Sequence, residues 1–92
     1  MTKYAILVKY SDNDELRLAT RPAHREFLQK MLDEGKLHES GPFTDDSGAL
    51  MIYNGANQAE VEAIVANDPF RTTPGIVDSA TIYEWKVVFP AE

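Results

Sequence analysis

Apolar and polar positions alternate at the start of the chain. Tyr4, Ile6, Val8 and Tyr10 fall on one face of an extended segment, with Ala5, Leu7 and Lys9 on the other, so residues 3–10 predict a strand. The polar run Ser11-Asp12-Asn13-Asp14 ends it. The period then changes. Residues 15–20 predict a short helical turn, and Thr20-Arg21-Pro22 reads as a helix start, a capping hydroxyl followed by proline near the first turn. His24, Phe27, Leu28, Met31 and Leu32 then recur at the spacing of one helical face, and Gly35 is a natural stop. The expectation is a helix over 21–35.

The second half repeats the logic. Residues 36–40 predict a second strand, followed by a loop over 41–48 rich in Gly, Pro, Asp and Ser. Residues 49–54 predict a third strand. Asn57 is placed to cap a helix over 58–67 whose Val61, Ile64 and Val65 face inward, and Asn67-Asp68-Pro69 ends it. A loop over 69–79 leads to a last strand over 80–89. The order βαββαβ is that of a ferredoxin-like α+β fold, an antiparallel sheet with two helices on one face.

Two helices leave the other face of such a sheet uncovered. In the last strand Tyr83, Trp85, Val87 and Phe89 share one face, and Ile82, Glu84, Lys86 and Val88 the other; in the third, Ala49, Met51 and Tyr53 oppose Leu50 and Ile52. Neither face is convincingly hydrophilic. The expected closure is a homodimer with its sheets packed about a twofold axis. The alternative is an amphipathic sheet with scattered apolar exposure.

Composition narrows the function classes. Ninety-two residues predict one domain spanning 1–92, with a modest core. The absence of cysteine excludes disulfides, thiolate metal sites and a cysteine nucleophile. Fifteen acidic residues against nine scattered basic ones give a net charge of −6, a poor surface for nucleic acid. The N-terminal apolar run is too short for a signal peptide or a membrane span, so a cytoplasmic protein without membrane contact is expected.

The predicted topology carries the start of the first helix, the turn after the second strand and the end of the second helix to one rim. His24, the Gly41–Gly48 turn and Asp68 therefore converge, and that rim is the natural place for a pocket. His24 is suited to general acid or base work, with Asp68 fixing its tautomer. The plainer alternative has His24 opening the apolar stripe and bonding a carbonyl, with Asp68 forming a turn before proline. Other candidates are weaker. His38 lies in an expected edge strand, and Asp45-Asp46 is an acidic pair in a turn. Ser40 and Ser47 lack a nucleophile motif, and no Gly-rich phosphate loop is present. No cofactor and no metal are expected.

Arg21-Pro22-Ala23-His24, Asp33-Glu34-Gly35-Lys36-Leu37, Ser40-Gly41-Pro42, Asn67-Asp68-Pro69-Phe70 and the closing segment 83–89 together resemble the YCII-related family along nearly the whole chain. The resemblance implies a ferredoxin-like fold, a dimer related to the dimeric α+β barrels, and a pocket with a His–Asp pair. The family's histidine falls on His24 and its aspartate on Asp68, with Arg21, Ser40, Gly41, Pro42 and Phe70 of the same motifs as expected binding residues. Two departures bear on the pocket. The segment between Pro42 and the third strand is short, and Arg71-Thr72 follows Phe70 where the family commonly has an apolar or small pair. A family member in chloroaromatic degradation removes chloride from a hydroxylated ring. The implied activity here is a cofactor-independent lyase or isomerase acting on a small organic molecule. A non-catalytic module that holds a small metabolite, and a dimer with no ligand, stand as alternatives.

Overall fold

The computed structural model describes residues 1–91. The chain runs β1 (Thr2–Tyr10), α1 (Asp14–Asp33), β2 (Leu37–Pro42), β3 (Gly48–Gly55), α2 (Gln58–Ala66), α3 (Pro69–Thr72) and β4 (Val77–Trp85). The strands form one antiparallel sheet in the order β2-β3-β1-β4. This is the ferredoxin-like α+β fold, with β1 and β3 central and β2 and β4 at the edges.

The alternation in β1 sets the core. Tyr4, Ile6 and Val8 are buried beside Ala49, Met51 and Tyr53 of β3, and Met31 of α1 and Val61 and Val65 of α2 pack on them. Phe27, Leu28 and Ile64 are half-buried around this cluster. Gly48 is required by the close approach of β3 to β1, because a Cβ there would lie on the Val8 carbonyl.

Four segments differ from the sequence expectation. The expected turn over 15–20 and the expected helix over 21–35 are one helix. Its start is Asn13, whose side chain accepts from the Leu16 N–H at 3.2 Å, with Asp14 and Glu15 in the first turn to suit the helix dipole. Pro22 lies inside α1 on an exposed position, so the carbonyl lacking its N–H partner is on the solvent side. At the other end the expected stop holds. Gly35 has φ 75, its N–H reaches the Leu32 carbonyl at 3.0 Å, and the Lys36 N–H reaches Met31 at 2.9 Å, which is a Schellman cap.

β4 begins earlier and ends earlier than expected. Its pairing with β1 runs from Tyr10↔Val77 to Lys3↔Trp85, and beyond Trp85 the partner strand is exhausted. Val87 and Phe89 therefore lie outside the sheet, although the alternation of side chains continues through them. The expected loop over 41–48 is also shorter. Gly41 and Pro42 belong to β2 and Gly48 to β3, leaving a tight turn in which Asp46 has φ 60. Ser47 N–H is held by Asp45 Oδ1 at 3.0 Å. The expected loop over 69–79 contains the short α3.

α1 and α2 cover the face that carries Tyr4, Ile6 and Val8. On the opposite face Leu7, Leu50, Tyr83 and Trp85 are exposed. Among the described residues no helix is long and apolar enough to cross a membrane.

Candidate functional site

α1 and α3 meet at the rim above β1. Because α1 starts at Asn13, His24 sits near the middle of the helix and not in its first turn, so the helix N-terminus does not act on it. The helix still delivers His24 to Asp68. Asp68 follows α2 in an extended conformation forced by Pro69 and caps α3, accepting from the Phe70 N–H at 2.9 Å. The same carboxylate oxygen, Oδ1, lies 2.6 Å from His24 Nδ1. That oxygen already accepts from a backbone N–H, so the proton of the second bond belongs to Nδ1, which donates. Nε2 is then the lone-pair nitrogen of the neutral ring.

The pair is set in a packed frame. The Asp68 and His24 side chains are 2 % and 12 % exposed, so the bond between them is largely shielded from water. Phe70 stacks on the His24 ring at a centroid distance of 3.8 Å and an interplanar angle of 2°. Tyr10 meets Phe70 edge to face at 6.0 Å, and the Arg17 guanidinium covers Tyr10 at 4.5 Å from the ring centroid. Arg17 also donates to the Asp46 carbonyl at 3.3 Å and lies 3.6 Å from Asp14. The sequence Arg17–Tyr10–Phe70–His24–Asp68 is thus continuous and fixes the imidazole plane from behind.

A cleft of about 200 Å3 opens at this rim. His24, Phe70 and Arg21 form part of its wall, and Ser40, Gly41 and Pro42 supply another part from the edge strand β2. Tyr10, Arg17, Arg25, Leu28, Asp46 and Ala49 complete it. Tyr10, Arg17 and Arg25 were absent from the sequence candidates. A signal existed for the arginines, since Arg17, Arg21 and Arg25 are one turn apart on a helix that starts at Asn13, but a helix that starts at Arg21 drops Arg17 from the row. His38 is exposed on β2, away from this wall. Among the described residues no three His, Asp or Glu side chains converge as a metal site would require.

Two tyrosines respond to the site. Burial pushes the Tyr10 phenol up; Arg17 opposes that rise, and Asp68 and Asp46 add to it. Burial also drives the Tyr53 phenol far above its ordinary value, and the negative charge of Asp68 drives it further. The Tyr53 hydroxyl is buried with no hydrogen-bond partner among the described residues.

Comparison with known proteins places this geometry. The model of the YCII-related domain matches residues 2–86. Protein YciI of Escherichia coli O6:H1 and Protein YciI of Shigella flexneri are each 33 % identical over 89 residues, covering 86 % of this chain and 90 % of theirs. A solved structure of 5-chloro-2-hydroxyhydroquinone dehydrochlorinase (TftG) from Burkholderia phenoliruptrix AC1100, in complex with 2,5-dihydroxybenzoquinone, is similar at a TM-score of 0.77. The two are 26 % identical, over 91 % of this chain and 93 % of that one. A matched domain that spans nearly every residue, together with relatives of similar length, decides the assignment: the chain belongs to the YCII-related family.

Proposed function

We propose that this protein is a cofactor-independent enzyme that moves a proton on a small organic substrate, with His24 as acid and base and Asp68 as its partner. The observation that carries the reading is the 2.6 Å contact of His24 Nδ1 with a buried carboxylate, in a ring that lines a cleft. The Nε2 lone pair takes a proton from a substrate C–H or O–H. The electron pair released forms a double bond. It then either expels a leaving group from the neighbouring carbon, an elimination, or is reprotonated at another carbon by Nε2–H, an isomerisation. Asp68 stabilises the imidazolium formed between the two steps. The likeness to a dehydrochlorinase supports the elimination branch.

The working unit is proposed to be a homodimer closed over the outer sheet face, where Leu7, Leu50, Tyr83 and Trp85 are exposed together. Light scattering after size exclusion should give twice the chain mass, and a monomer at micromolar concentration would overturn that part.

The test of the chemistry has two readouts. Long-range 1H–15N spectra at pH 8 should show His24 protonated at Nδ1, with that preference lost in the Asp68→Ala variant, which has no acceptor there. Small hydroxylated and enolisable rings, 2,5-dihydroxybenzoquinone among them, should then exchange carbon-bound hydrogen for deuterium in D2O, and His24→Gln should abolish the exchange. A proton found on Nε2, or exchange that survives His24→Gln, would overturn the assignment. Saturable binding without exchange would favour the metabolite-holding module.

A further inference from the structure

The charge on the cleft wall is opposite to that of the protein. The chain carries a net charge of −6 with nine Lys and Arg in total, yet three of these, Arg17, Arg21 and Arg25, meet at one opening against a single carboxylate, Asp46. They stand one helical turn apart on α1. Like charges at that spacing work against a helix, so the stripe is not explained by helix stability.

The three do not share one role. Arg17 is buried and committed to Tyr10, the Asp46 carbonyl and Asp14. Arg21 and Arg25 are exposed and make no hydrogen bond or ion pair among the described residues. Arg17 thus holds the aromatic frame, while two guanidinium forks remain available at the mouth. The rest of the wall is apolar in part, with Leu28, Pro42 and Phe70 beside His24. A cavity of ~150 Å3 holds a benzene ring, so one of about 200 Å3 takes a single ring with a few substituents.

We infer that the ligand of this cleft is a small organic anion, a ring-sized acid whose carboxylate or comparably acidic enol oxygen is held by Arg21 and Arg25 while its body lies against Phe70 and Pro42. A guanidinium pairs with such an oxygen pair through two parallel N–H bonds, which orients the ring as well as binding it. The inference rests on the reading of this cleft as the reaction site and adds the substrate class. The same two cations would stabilise the negative charge that develops when His24 removes a proton from the bound ring.

The probes are benzoate, 2,5-dihydroxybenzoate and their methyl esters, titrated into the full chain and followed by amide 1H–15N shifts. An acid should bind with shifts at Tyr10, His24 and Phe70, about tenfold or more tighter than its ester, a difference that added salt weakens. The exposed pair Arg21→Gln/Arg25→Gln should lose that preference without losing the fold, and Lys30→Gln, exposed in the last turn of α1, should keep it. Esters that bind as well as the acids, a double variant that retains the preference, or no saturable binding of either acid below about 10 mM would each overturn the inference. The two readings fail separately. Anion binding that persists in a protein whose His24→Gln variant still exchanges protons leaves the ligand class standing and removes the catalytic role. Exchange that depends on His24 but acts only on neutral rings does the reverse.

Discussion

Asp68 and Tyr53, two of the polar side chains buried in this small core, are treated differently. Asp68 is 1 % exposed, and its Oδ1 serves both the Phe70 N–H and His24. Tyr53 is 0 % exposed, and its hydroxyl has no partner among the described residues. The contrast separates two reasons for burying a polar residue. Asp68 is buried for its oxygens, because they cap α3 and hold the imidazole. Tyr53 is buried for its ring, which fills the core between Tyr4 and Leu37, its neighbours across the sheet, while the hydroxyl adds nothing that offsets its lost hydration.

The largest effect should come from the engaged carboxylate. Asp68→Ala removes the cap of α3 and leaves the Phe70 N–H and His24 Nδ1 without their acceptor in a dry place. Each orphaned group costs about 1–3 kcal/mol, and the lost cap is part of the same account, so a loss of about 2–4 kcal/mol is expected. Asp68→Asn keeps an oxygen that can accept from both groups and should cost about 1 kcal/mol. Urea denaturation of the two variants checks the difference. Equal stabilities would mean that the carboxylate's bonds count for no more than the hydroxyl of Tyr53.

Much of this was readable before the structure, and each miss has its own physical cause. His24 and Asp68 could be brought to one rim by the predicted order of elements, although His24 is mid-helix and not at the helix start that order assumed, and the proline after Asp68 fixes the end of α2. The strands β1 and β3 and the helix α2 carry unmixed periods, so their sequences suffice. α1 carries two competing start signals. Thr20-Arg21-Pro22 looks like a cap and first turn, but Asn13, followed by Asp14 and Glu15, is the cap used. That misplaced start hid Arg17. β4 fails differently, since alternation continues to Phe89 while pairing stops where β1 begins. The missing partner of Tyr53 is not in the sequence at all, because it depends on what lies across the core.

Alkaline pH should expose the same contrast with a smaller effect. The phenols of Tyr53 and Tyr10 are raised above the ordinary value of 10.0 by burial and by the charge of Asp68. A folded state that holds its proton more tightly than the unfolded chain is fully stabilised by it below pH 10. The advantage is lost as pH rises from there towards the folded value, at up to about 1.4 kcal/mol per pH unit for one proton. Denaturation midpoints should therefore hold between pH 8 and 9 and fall from pH 10 to 11. Tyr53→Phe should flatten part of that slope. A slope unchanged in the variant would assign it to other groups.

The smallest effect is the most pointed. Tyr53→Phe at neutral pH removes an unpaired buried hydroxyl and keeps the ring, so the core loses no carbon contact. A change between zero and about 1 kcal/mol in favour of the folded state is expected, the opposite sign from the usual core substitution. The same variant should leave the His24 tautomer unaltered, since the phenol makes no bond to Asp68 or His24. A destabilisation above about 1 kcal/mol would show that the hydroxyl is satisfied in solution, and a moved tautomer would make Tyr53 a third member of the His24–Asp68 arrangement.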